Sequence, residues 1–117
     1  MEEKKTQGNC IISDEVIATI AGAAAREVPG VIEMANRPAD FKSLVSTGAE
    51  RFVAVTNRES TIMLDVYVQI AEGIRIPDVA SAIQENVKAA VQAMTNKPVT
   101  RVNVHIAGIV LGDTAAQ

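Results

Sequence analysis

The sequence predicts an α+β fold, a two-layer sandwich in which two helices cover one face of a mixed four- to five-stranded sheet. Two segments place apolar residues three and four positions apart, which is the spacing of an amphipathic helix. Other segments alternate apolar and polar residues, as strands with one buried face do. The strongest signal is residues 74–109, where a helical pattern is followed by an alternating strand.

The composition limits the class of protein. The chain has 117 residues, enough for one domain with a well-packed core. We expect this domain at residues 9–112, with mobile tails at residues 1–8 and 113–117. With 3% aromatic residues the core must be aliphatic, and a net charge of −3 gives no general attraction for nucleic acid. No apolar run approaches the ~18 residues of a membrane span, and the N-terminus lacks an apolar secretion segment, so we expect a cytoplasmic protein.

The first helix is expected at residues 14–27, between short strands at 9–12 and 31–34. Ser13 is a good N-cap, and the two acidic residues after it suit the positive end of the helix dipole. One helix face carries only small residues, namely Ala18, Gly22 and Ala25. Such a face lets another backbone come close.

The middle of the chain predicts a loop and then a β-hairpin. Residues 35–50 show no sustained period and are interpreted as a loop, with room for one helical turn around 41–45. Strands are expected at 52–56 and 62–70, joined by a polar turn at 57–60. In the second strand, alternate residues face away from the core: Met63, Asp65, Tyr67 and Gln69.

The long helix begins near Pro77, whose missing N–H costs nothing in a first turn. It ends at Asn96, which suits a left-handed cap, and Pro98 blocks continuation. Its expected buried stripe is Val79, Ala80, Ile83, Val87, Val91 and Met94, opposite a wet face of Ser81, Gln84, Glu85 and Lys88. The strand that follows, at 99–106, is expected to expose Arg101, Asn103 and His105 beside the preceding strand.

Three blocks occur in a particular order: residues 12–21 with Glu27-Val28-Pro29-Gly30-Val31, residues 76–80 with 84–88, and residues 102–109. In this order and spacing the chain resembles the alkaline shock protein family, the envelope stress response proteins of Gram-positive bacteria. Residues 34–51 depart from the Gly-rich connection that such proteins often have. The resemblance implies a small non-enzymatic cytoplasmic protein that self-associates or docks to partners, some of them at the membrane. It supplies no catalytic residues.

No group of residues predicts catalysis, a metal site or a cofactor. His105 is the single histidine and has no visible partner group, so we interpret it as a structural or interface residue. Cys10 is better explained as a small hydrophobe, although a nearby helix N-terminus could activate its thiol. Lys88, Lys97 and Arg101 could form a small basic patch. The negative net charge and scarce aromatic residues argue against nucleic acid as a partner.

The residues instead favour a homo-oligomer. The candidate interface combines the small helix face with the open sheet face: Ala18, Gly22, Ala25, Tyr67, Gln69, Asn103 and His105. The alternative is a monomer that packs the same small residues on its own sheet. The leading hypothesis is a non-enzymatic protein that self-associates and docks to protein partners, including membrane-anchored ones, at or near the membrane. A regulatory module for an enzyme of lipid or envelope metabolism and a weak RNA-binding module are the alternatives.

Overall fold

The computed structural model describes residues 11–38 and 48–111. The predicted tails, Cys10 and the turn expected at 41–45 lie outside that part. The elements are α1 (Asp14–Arg26), β1 (Val31–Met34), a 3₁₀ turn (Gly48–Arg51), β2 (Val53–Asn57), β3 (Ile62–Ala71), α2 (Ile76–Thr95) and β4 (Val99–Val110). The predicted α+β sandwich is confirmed. Ile11 and Ile12 are not in a strand, so the described half of the strand expected at 9–12 does not form.

The sheet is mixed and is built around β3. The strand β4 pairs with β3 in parallel along its whole length, while β2 and β1 pair with it antiparallel and share its other edge. The two short strands meet at Tyr67. Its N–H donates to Phe52 O at 3.1 Å, and its carbonyl oxygen accepts from Ala35 N–H at 2.8 Å. Tyr67 therefore lies at the middle of the sheet.

The helices cover one face of this sheet. Alternate residues of β3 from Ile62 to Ile70 are at most 1% exposed, and they belong to the same core as the inner faces of both helices. The helices are joined directly, because Asn86 Nδ2 of α2 donates to Ala24 O of α1 at 2.9 Å. No polar or charged side chain is buried in the part of the chain that the structure describes.

The helix ends follow the capping signals of the sequence. Ser13 Oγ accepts from Val16 N–H at 3.2 Å at the start of α1. Pro77 lies in the first turn of α2, and Asn96 closes that helix in the left-handed conformation with φ 57°. These predictions are confirmed.

One expected core residue of α2 is on the surface. The buried residues of α2 are Val79, Ile83, Val87 and Val91, each four positions after the one before it. Met94 is 63% exposed, so its predicted burial is wrong. Its spacing does put Met94 on the same side of the helix as Val91, but Met94 is the next-to-last residue of α2, and there it lines an apolar groove between the helices.

Candidate interaction surface

The face of the sheet opposite the helices carries the candidate residues of β3 and β4. Asp65, Tyr67 and Gln69 are half-buried on β3, and Asn103 and His105 are exposed on β4. The parallel register places Asp65 beside Asn103 and Tyr67 beside His105. We call Asp65, Tyr67, Asn103 and His105 the Asp65 cluster.

The Asp65 cluster is held by contacts between its own side chains. Asn103 Nδ2 donates to Asp65 Oδ1 at 3.0 Å, and His105 Nε2 lies 2.9 Å from the same oxygen. An ionised carboxylate only accepts hydrogen bonds, so a hydrogen bond here requires a proton on Nε2. The rings of Tyr67 and His105 are stacked, with centroids 4.3 Å apart and planes at 10°. Four side chains from two strands thus share one fixed arrangement.

Stability does not explain this arrangement. The side chains of His105 and Asp65 are 43% and 32% exposed. A pair this open to water contributes at most about 1 kcal/mol to the free energy of unfolding. The main consequence of the contacts is therefore that they hold the polar and aromatic groups of the open face in one arrangement.

Gln69 extends the open face toward the end of the sheet. The register of β3 and β4 shifts after Val68, so Gln69 lies beside Gly108. A Cβ added to Gly108 would be 3.7 Å from the Gln69 side chain, which lies across the strand at this point. Gln69 is therefore placed on the open face, as predicted, but outside the Asp65 cluster.

The helical part of the candidate interface lies inside the folded chain. Ala18 and Ala25 are 0% exposed and belong to the core, and Gly22 is buried. These residues are not available to a second copy. Their burial agrees with the alternative in which α1 packs its small residues on its own sheet. Apart from its chain neighbours and the backbone of its own helix, no heavy atom of the described residues comes within 4 Å of a Cβ added to Gly22, so close approach of another element does not explain the glycine.

The three basic residues do not form a single patch. Lys97 Nζ donates to Asn57 Oδ1 at 2.7 Å and to Arg58 O at 2.6 Å. Lys88 and Arg101 line a separate groove between α2 and β4. Within residues 11–38 and 48–111, no three His, Cys, Asp or Glu side chains are grouped to hold a metal ion. The helices in that part are too short or too polar to cross a membrane.

Sequence reasoning missed the partners of His105. The expectation that it has none is wrong, because Asp65 and Tyr67 both contact it. The signal was present in the alternation of β3 and β4, which puts all three residues on the open face. What the pattern lacks is the register between the strands, and the register decides which side chains meet.

The fold and surface define a small two-layer α+β protein whose open sheet face carries an ordered polar and aromatic cluster. Residues 2–111 match the model of the alkaline shock protein 23 family, which is described by a cell envelope-related function. The chain belongs to this family, which is the one that its sequence blocks resemble. The family description names no enzymatic activity.

The relatives come from Gram-positive bacteria and are described as uncharacterized proteins. YqhY of Bacillus subtilis is 40% identical over 94% of this chain and 82% of its own length. Spy1535 of Streptococcus pyogenes is 34% identical, over 92% and 83% of the two chains. A solved variant of the MamM CTD aligns with 80% of this chain and 93% of its own at 19% identity and a TM-score of 0.49. A likeness at this level carries no argument about function.

Proposed function

We propose that this protein is a non-enzymatic, cytoplasmic interaction protein of the cell envelope, which self-associates and docks to partner proteins through the open face of its sheet. The observation that carries the proposal is the Asp65 cluster on the face opposite the helices. The family's envelope-related description supplies the cellular setting.

The cluster has the properties of a binding surface. Side chains that are already ordered lose less conformational entropy when a partner binds, so more of the contact energy appears as affinity. Tyr67 offers a large apolar ring with a polar end, and tyrosine is enriched at the cores of interfaces. The face carries both signs of charge, with Asp65 near its centre and Arg101 opposite Met63, two residues before Asn103 in β4. Two copies can therefore meet without strong repulsion.

Docking through a protein suits the charge of the chain better than direct binding to lipid. The net charge is −3, and the cytoplasmic surface of a membrane is itself negative. A protein of this charge is repelled by such a surface unless it has a concentrated basic patch, and Lys97 is separated from Lys88 and Arg101. We therefore propose that any position at the membrane comes from a membrane-anchored partner.

Light scattering over a concentration series tests self-association. Tyr67→Glu removes the stacked ring and places a carboxylate beside Asp65, and we expect it to weaken association at least tenfold. Ala93→Glu is the matched control, because it adds the same charge at an exposed position of α2. Both variants should keep the circular dichroism spectrum of the wild type. Equal association of Tyr67→Glu and wild type would overturn the choice of surface.

Partner docking is tested separately by cross-linking and mass spectrometry, with membrane and soluble fractions analysed apart. A partner that uses the open face is captured by wild type and Ala93→Glu and lost with Tyr67→Glu. If every captured protein is retained by Tyr67→Glu, docking through this face is refuted even where self-association holds. Capture of one metabolic enzyme, with a change in its activity on binding, would favour the regulatory alternative.

A further inference from the structure

The strand β4 is long and lies at the edge of the sheet. Its 12 residues pair with β3 on one side, and no described strand pairs with its other side. The strands at the opposite edge, β1 and β2, have only 4 and 5 residues. A long free edge presents unpaired N–H and C=O groups to any other strand, so folded proteins normally cover or protect it.

The helix α2 covers only the first part of this edge. Gln92 Oε1 accepts from Val99 N–H at 2.9 Å, and Gln84 Nε2 donates to Val102 O at 3.1 Å. These two glutamines give side-chain partners to backbone groups that the β3 ladder does not use. Residues 103–110 receive no comparable side chain from the described part of the chain. The free edge of β4 therefore begins after Val102, the last residue that a glutamine of α2 contacts.

The free edge also lacks the side chains that keep strands apart. Residues 102–111 contain no Lys, Arg, Asp, Glu or Pro, and Ile109 and Leu111 are 51% and 74% exposed. The irregular register around Ala107 is the one protective device that this segment carries. A neutral, β-branched strand does not repel a copy of itself, and antiparallel pairing about a two-fold axis satisfies both edges at once.

We infer that a second copy of this chain pairs antiparallel with β4 along residues 103–110, joining the two sheets into one. The inference goes beyond the proposed function, because it uses the backbone of an edge and not the side chains of the open face. The two contacts are compatible. Edge pairing places two open faces side by side, and contacts between faces then build assemblies larger than a dimer.

The first test changes one exposed apolar side chain at each edge of the sheet. In a symmetric ladder over residues 103–110, Ile109 of each copy lies opposite Val104 of the other. Ile109→Lys replaces this apolar contact by a charge at two places in the ladder, and we expect association to weaken at least tenfold in sedimentation equilibrium. Ile32→Lys is the matched control, because Ile32 is 52% exposed on β1 at the opposite edge. Folding of both variants is checked by circular dichroism. Association of Ile109→Lys that equals that of the control overturns the inference.

The second test reads the backbone directly, by hydrogen exchange at low and high protein concentration. Edge pairing predicts that some amides of residues 103–110 exchange at least tenfold more slowly at high concentration, in the wild type and in Tyr67→Glu alike. Amide exchange in β4 that does not depend on concentration overturns edge pairing. If Tyr67→Glu keeps this protection and still forms assemblies larger than a dimer, the open-face proposal is refuted and edge pairing is supported.

Discussion

Ile83 is the residue of α2 whose truncation tests the packing of the two layers most sharply. It is 0% exposed, and it lies in the middle of the row that faces the sheet, between Val79 and Val87. Ile83→Ala removes three carbon atoms from the core while leaving a good helix former in place. The change therefore isolates burial from helix propensity.

The expected cost follows from the burial of those atoms. At about 0.8 kcal/mol for each buried carbon group, loss of the transfer energy costs about 2.4 kcal/mol. The cavity that remains adds to this, so we expect a loss of about 3–4 kcal/mol in the free energy of unfolding. A chain of this length has a total stability of about 6–18 kcal/mol at the usual value per residue, so the loss is large.

Urea unfolding followed by circular dichroism measures the loss, since the chain has no tryptophan to report by fluorescence. Met94→Ala is the control on the same helix, because Met94 is 63% exposed, and it should cost less than about 1 kcal/mol. If Ile83→Ala is no more costly than Met94→Ala, the assignment of the buried face of α2 is wrong.

Three further predictions concern the C-terminal cap of α2, the glycine of α1 and metal content. Asn96→Ala should cost about 1 kcal/mol in urea unfolding, because alanine is strained at φ 57°, whereas Asn96→Gly should be neutral or stabilising; equal loss in both would contradict the cap. Gly22→Ala should raise stability by about 0.5–1 kcal/mol, since no described atom obstructs the new Cβ; a lower urea midpoint would show that the position needs glycine. Protein purified without added metal should contain no stoichiometric zinc, and His105→Asn with Cys10→Ala should remain folded; a measured zinc content near one per chain would refute this.

Local patterns were sufficient to predict both helices and the four strands of the sheet, although not the absence of a strand at Ile11 and Ile12. Alternation in β3 identifies both of its faces, because successive side chains of a strand point to opposite sides. The signals at Ser13 and Asn96 locate helix ends for a similarly local reason, since a cap depends on a few neighbouring residues.

Contacts between distant segments could not be predicted in this way. The pairing of Asp65 with His105 depends on the register of two strands separated by the whole of α2, and one step of register would exchange the faces. The role of Ala18 depends on which surface α1 meets, and a row of small residues is equally suited to a core and to an interface. Burial in the folded chain decides this case in favour of the core.

A dilution series of ¹H–¹⁵N correlation spectra tests the central claim most directly, because it locates the surface that changes as copies associate. We predict that the amides of Tyr67 and Gln69, on the central strand, shift with concentration together with those of Asn103 and His105. The amides of exposed residues on the helices, such as Ala93, should stay fixed. Shifts confined to the helices, or spectra that do not change up to high micromolar concentration, would contradict self-association through the open face of the sheet.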